Sequence, residues 1–143
     1  MQRTMQQVLL VGTGGFLGAV SRFAITGWIH RKFPNFLPAG TLIVNVMGCL
    51  TIGFLMVYFI DLKPGPEEGV SKEMMLNSQQ WKLLLITGVL ASLTTFSTFS
   101  YETVDLLQQE KFRFALWNIV GNFGIGLLAV VIGKYCGDFF FEA

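Results

Sequence analysis

Three stretches of this chain, residues 33–60, 83–101 and 114–133, contain no charged side chain, and a fourth, from about 8 to 28, contains only Arg22. A helix rises ~1.5 Å per residue, so each stretch reaches most or all of the way across a bilayer. Charged residues are 13% of the chain, against roughly 25% in an average soluble domain. The runs therefore predict an all-α membrane protein, multi-pass, with four transmembrane helices at roughly 5–29, 39–60, 82–103 and 112–135. At 143 residues this is one domain. Residues 61–81 read as a surface loop, with a short amphipathic helix near Glu73 to Trp81.

The third run holds Thr94-Thr95-Phe96-Ser97-Thr98-Phe99-Ser100, five hydroxyl residues around two phenylalanines. Polar groups moved from water to lipid are costly unless partnered, so this segment faces protein, water or an ion. Thr, Ser and Phe in a row are poor helix formers. The third helix is accordingly expected to be broken near its middle, around Ser92 to Thr95. Non-helical backbone at membrane depth survives only where protein or a cavity satisfies it. Freed carbonyls there suit a cation and freed amides an anion. Phe96 and Phe99, three apart, share a helical face. Either they pack or face lipid, or their ring edges, which carry partial positive charge, meet a small anion weakly. Tyr101-Glu102 leads out of the segment, with Glu102 read as a charge at headgroup level.

Amides line the other segments. Thr41, Asn45 and Gly48 fall on one face of the second, and Asn118, Asn122 and Gly126 form a stripe on the fourth. An amide needs acceptors for two N–H groups and a donor for its oxygen. These faces should point inward, either bonding helices together or lining a polar path. In the first segment Gly14-x-x-x-Gly18 admits a close neighbour, and Gly88, Ala91 and Ser92 offer a similar surface in the third. Arg22 either snorkels to the headgroups or is a vestibule charge that attracts anions. Arg3 ahead of an apolar run, with Ala19-Val20-Ser21, resembles a signal peptide only loosely, since the run continues past Ser21. Phe139, Phe140 and Phe141 suggest an interfacial anchor.

Four crossings put both termini and residues 61–81 on one side, with Arg3, Lys63, Lys72, Lys82 and Lys134. The other side has Arg31, Lys32, Lys111 and Arg113. Orientation follows an excess of Lys and Arg on the cytoplasmic side, and a five-to-four split is almost no excess. A chain of this kind can insert both ways, and two opposed copies can form an antiparallel dimer. Four short helices also leave little room for a complete internal pathway, so oligomerisation is expected.

Much is excluded. No nucleophile has a base beside it, and no phosphate- or dinucleotide-binding glycine motif is present, so the chain does not read as an enzyme. His, Cys and acidic residues lack metal-site spacing, and Cys49 and Cys136 do not form a disulfide framework. A formal net charge of +1 without a basic cluster gives no support to nucleic-acid binding. A proton-coupled transporter of the small four-helix type fits the size, although no acid lies at mid-membrane. A non-transporting scaffold is the other alternative. What remains is a neutral polar path, able to replace part of an ion's hydration shell without trapping it.

In its motifs the chain resembles the CrcB/Fluc family of fluoride ion channels. They are Gly15-x-x-Gly18-Ala19-x-x-Arg22, Gly40-Thr41-Leu42-x-Val44-Asn45-Val46-x-Gly48, Thr94 through Ser100 followed by Glu102, and Gly126-Leu127 with Gly133. All four segments are covered in order. The resemblance implies a dual-topology antiparallel homodimer in the bacterial cytoplasmic (inner) membrane, exporting fluoride passively and conferring fluoride resistance. It implies that Phe96 and Phe99 are pore phenylalanines and Asn45 a pore-lining amide, with Ser97 and Thr98 as donors. Thr41, Thr95, Asn118 and Asn122 join this fluoride-binding set, and Arg22 is the family's first-helix arginine. It further implies a structural sodium ion at the dimer interface, on the backbone carbonyls of Ala91 and Thr94. The family usually has glycines where Ala91 and Ser92 stand, and a serine where Asn122 stands.

Overall fold

The uncharged runs become helices, because a helix satisfies backbone groups within its own segment. The computed structural model describes residues 2–34, 38–61 and 72–141. Helix α1 is Gln2–Lys32. Helix α2, Ala39–Met56, runs on as a π-helical turn, Val57–Asp61. Helix α3 is Lys72–Lys82, then wider-wound through Leu83–Leu90 and α-helical again at Ala91–Leu93. Helix α4 is Phe96–Gln108. Helix α5 is Phe112–Val120, π-helical at Gly121–Ile125, then Gly126–Phe141. Four spans are long and apolar enough to cross a membrane: Gln2–Lys32, Ala39–Phe59, Leu76–Gln108 and Phe112–Phe141.

Their ends have local causes. Helix α1 closes on Arg31 and Lys32, cations at the negative end of the helix dipole. Helix α2 starts directly after Pro38, where a missing N–H costs nothing. Thr94 (φ −83°, ψ 155°) and Thr95 (φ −153°, ψ 117°) are extended and separate α3 from α4. Thr95 caps α4, its Oγ1 accepting from the Thr98 N–H at 3.2 Å. Between α4 and α5 the chain turns on Glu110, at a positive φ of 57°.

Two close helix pairs make the body of the protein. In α1, Gly14 lies on Gly88 and the Leu84 carbonyl of α3, and Gly18 lies on the Val89 carbonyl, so a β-carbon at either would overlap backbone. The two small-residue surfaces read from the sequence are thus each other's partner. In the same way Gly53 of α2 meets Val130 of α5, and Gly133 meets Leu50. Such backbone-on-backbone contact maximises dispersion where lipid offers no hydrophobic drive to associate. A small core of Val44, Leu90 and Leu93, flanked by Ile25, Ile52, Leu55 and Ile86, fills the space between the pairs. Ile29, Val57, Phe59, Phe99 and Leu106 are buried elsewhere, while many other large apolar side chains point outward, Phe23 being 80% exposed, as lipid-facing residues do.

The short helix expected near Glu73 to Trp81 is Lys72–Lys82, which runs unbroken into the third span, while 62–71 lie outside the described residues. At the C-terminal end Phe139 and Phe140 are exposed, but Phe141 packs on Phe54 and Tyr58, at 5.2 Å from each ring.

Candidate functional site

The extended pair Thr94–Thr95 takes the Thr95 N–H out of the helix ladder, and Asn45 clasps the backbone of Thr95 there. Asn45 Oδ1 accepts from the Thr95 N–H at 2.9 Å, and Asn45 Nδ2 donates to the Thr95 carbonyl at 3.2 Å. The face of α2 read from the sequence meets the third span in antiparallel register. Gly48 lies under the Thr94 methyl, Asn45 on Thr95, and Thr41 donates its hydroxyl to Glu102 Oε1 at 2.7 Å. Any β-carbon at Gly48 would collide with Thr94.

The α5 stripe continues this seam. Asn45 Nδ2 also donates to Asn122 Oδ1 at 2.8 Å. Asn122 Nδ2 donates to the Asn118 carbonyl at 2.9 Å and to Asn118 Oδ1 at 2.8 Å. Asn118 Nδ2 donates to Thr103 Oγ1 at 2.9 Å and to the Phe99 carbonyl at 3.3 Å. Gly126 lies against Cys49. The π-helical turn at Gly121–Ile125 carries Asn122, in keeping with the frequent occurrence of such turns at functional sites.

Beside this seam is an open cavity of ≈ 470 Å³, which Asn45, Thr95, Asn122, Phe96, Phe99 and Phe123 all line. Phe99 is 6% exposed and Phe96 71%. Their ring centroids are 5.5 Å apart, and Phe99 meets Phe123 edge-on at 5.7 Å. The cavity is lined by hydroxyl, amide and aromatic side chains, with no charged side chain among its lining residues.

The remaining sequence candidates lie variously. Ala91 and Thr94 border the cavity. The amides that would close a helix onto their carbonyls are diverted, Thr95 N–H to Asn45 Oδ1 and Thr98 N–H to Thr95 Oγ1. Ser97 and Thr98 cluster on the Thr95 hydroxyl at 3.2 and 3.1 Å. Asn118, 1% exposed, and Thr41, also buried, do not line the cavity. Arg22 is half-buried on α1, away from the cavity lining, and its side chain makes no hydrogen bond or ion pair among the described residues. Glu102 is corrected: its carboxylate turns inward to Thr41, and Oε2 is buried without a partner among the described residues.

Two contributors escaped the sequence reading. Phe123 sits one position past Asn122 and was lost in an apolar run. Thr103 lies one turn after Phe99, a buried hydroxyl whose spacing was the available signal.

Residues 9–134 match the family model described as CrcB-like protein, Camphor Resistance (CrcB). A "Fluoride-specific ion channel FluC" of Sulfurovum sp. (strain NBC37-1) is 44% identical over 126 residues, 88% of this chain and 89% of that protein. One from Clostridium perfringens is 43% identical over 133 residues, 91% and 94% of the two chains. One from Dehalococcoides mccartyi is 40% identical over 134 residues, 94% of each. With a family model matched over most of its length and such relatives spanning nearly all of it, this chain belongs to the CrcB family.

Proposed function

We propose that this protein is a fluoride-selective ion channel, not an enzyme, that lets fluoride leave the cell passively across the cytoplasmic membrane and so limits its toxicity. The observation that carries this reading is the meeting of Asn45, Thr95 and Asn122 with Phe96, Phe99 and Phe123 in one cavity free of charge, in a chain whose relatives are named fluoride-specific channels. A small anion loses water on entry. Hydroxyl and amide donors replace part of that shell, ring edges add weak attraction, and the lack of a fixed cation lets the ion go again. Ser97 and Thr98 extend the donor cluster from Thr95. Thr41 and Asn118 support the seam from behind, and Arg22 serves as a vestibule or structural charge.

The cavity is open on one side, and Phe96 and Ala91 are exposed there. A second copy would cover them, and the five-to-four distribution of basic residues supports an antiparallel homodimer. Placing a single cysteine near residue 70, in a background lacking Cys49 and Cys136, tests this. Labelling from both sides of the membrane in comparable amounts is expected; labelling from one side only overturns dual topology. The diverted amides leave the Ala91 and Thr94 carbonyls free to hold a structural sodium ion. Hard cations need several oxygen ligands, so a pair from each of two chains suits it. Bound there, the ion would offset the partial negative charge of those carbonyl oxygens.

Vesicles loaded with potassium fluoride or potassium chloride, with efflux started by a potassium ionophore, test the function. Rapid loss of fluoride with chloride retained is the expected result. The inward-turned carboxylate of Glu102, with one oxygen unpartnered among the described residues, favours one competing reading, a proton-coupled transporter. Efflux that requires an imposed proton gradient would establish that instead. No flux of either anion from folded protein would leave a scaffold.

A further inference from the structure

We infer that Thr103, which lines no part of the cavity, is a positioning residue that pins one end of an amide relay held at its other end by the Thr95 N–H, and so helps fix which atoms Asn45 and Asn122 offer to a passing anion. The inference rests on the channel reading and goes beyond it.

The direction follows from counting donors. Thr103 has one hydroxyl proton and gives it to the Phe99 carbonyl at 2.8 Å. Toward Asn118 it therefore presents only a lone pair, which accepts from Asn118 Nδ2. With the Phe99 carbonyl accepting from the same nitrogen, the amide end of Asn118 faces α4, and its oxygen faces Asn122. Asn122 must then turn its own nitrogen to Asn118 and its oxygen to Asn45. Asn45 is left with its nitrogen toward Asn122 and its oxygen toward the Thr95 N–H. Each of the three Nδ2 groups has two acceptors, so every amide proton in the chain is used.

This ordering matters to an anion in two ways. The Asn122 carbonyl oxygen, a repulsive neighbour for negative charge, is held against Asn45 rather than turned into the cavity. An anion that recruits an N–H takes it from Asn45, whose bond to the Thr95 carbonyl, at 3.2 Å, is the longer of its two. Remove the Thr103 hydroxyl, and a buried Asn118 N–H loses an acceptor in a site 1% exposed to solvent. A buried donor without a partner is costly, so the amides reorient to relieve it, and Asn122 turns its oxygen out.

The test uses the full-length protein in liposomes. Thr103→Val keeps the shape and removes the hydroxyl; it is expected to lower fluoride efflux about tenfold, equivalent to ~1.4 kcal/mol. Thr103→Ser, which restores the hydroxyl, should return to within about twofold of the parent. In an Asn122→Ala background the relay is already cut, so adding Thr103→Val should change the rate by less than about twofold. Parent-like efflux from Thr103→Val, failure of the serine to rescue, or independent multiplication of the two effects overturns the relay. Absence of fluoride efflux from the parent protein would instead defeat the channel reading. In that case heat unfolding in detergent of the parent, Thr103→Val, Asn122→Ala and their double variant decides: the relay predicts non-additive shifts in midpoint, and additive shifts reject it.

Discussion

Replacing Phe96 and Phe99 together by isoleucine is expected to reduce fluoride efflux at least ~100-fold, corresponding to about 1.4 kcal/mol lost per tenfold step, while the protein still elutes as a single folded species. Isoleucine keeps apolar bulk but has no ring, so it removes two of the three rings, with their partly positive edges, that line the cavity. The singles should differ. Phe99 is wedged between Phe96 and Phe123, and its carbonyl anchors both Thr103 and Asn118. Changing it alone should therefore also lower the unfolding temperature, whereas exposed Phe96 should lose flux with little change in stability. Efflux from the double variant equal to that of the parent would remove both rings from the ion path. The measurement is fluoride release from liposomes, with elution volume as the control for folding.

Asn45→Ala should abolish flux and also destabilise the fold. Three hydrogen bonds go at once, and the Asn122 oxygen and the Thr95 N–H lose their partner. An orphaned buried group costs about 1–3 kcal/mol. The Thr95 N–H has one recourse: it can swing back to the Ala91 carbonyl and mend the helix. That would close one of the two carbonyls proposed to hold sodium. The parent is thus expected to melt a few degrees higher in sodium chloride than in the same concentration of N-methylglucamine chloride, since a bound ion stabilises only the folded state. The Asn45→Ala protein should show no such difference. A sodium effect that is equal in both proteins would separate the cation site from the helix interruption; no effect in either would argue against the site.

The legible part of this protein was whatever depends on one helix at a time. Lack of charge located the spans, and periodicity put Thr41, Asn45 and Gly48 on one face and Asn118 with Asn122 on another. The contacts between helices were not legible, because spacing tells which residues share a face and not what lies opposite. Glu102 could be placed near the end of a span, but only the antiparallel register of α2 against α4 brings Thr41 to it. Asn118 reads as a pore amide from its neighbour Asn122, yet it is turned away from the cavity and is almost fully buried. A helix near Glu73 to Trp81 could be read from the sequence, but not its unbroken run through Leu83–Leu90 into the third span.

The glycine contacts between α1 and α3, and between α2 and α5, have an evolutionary corollary. Where backbone rests on backbone, no side chain is available to repack around a newcomer. Drift should therefore run opposite to size. The bulky residues pointing outward, such as Phe16, Phe23 and Leu127, are free to exchange with other apolar residues over generations. Gly14, Gly18, Gly53 and Gly133 are the positions that a redesigned or distantly descended chain must keep smallest.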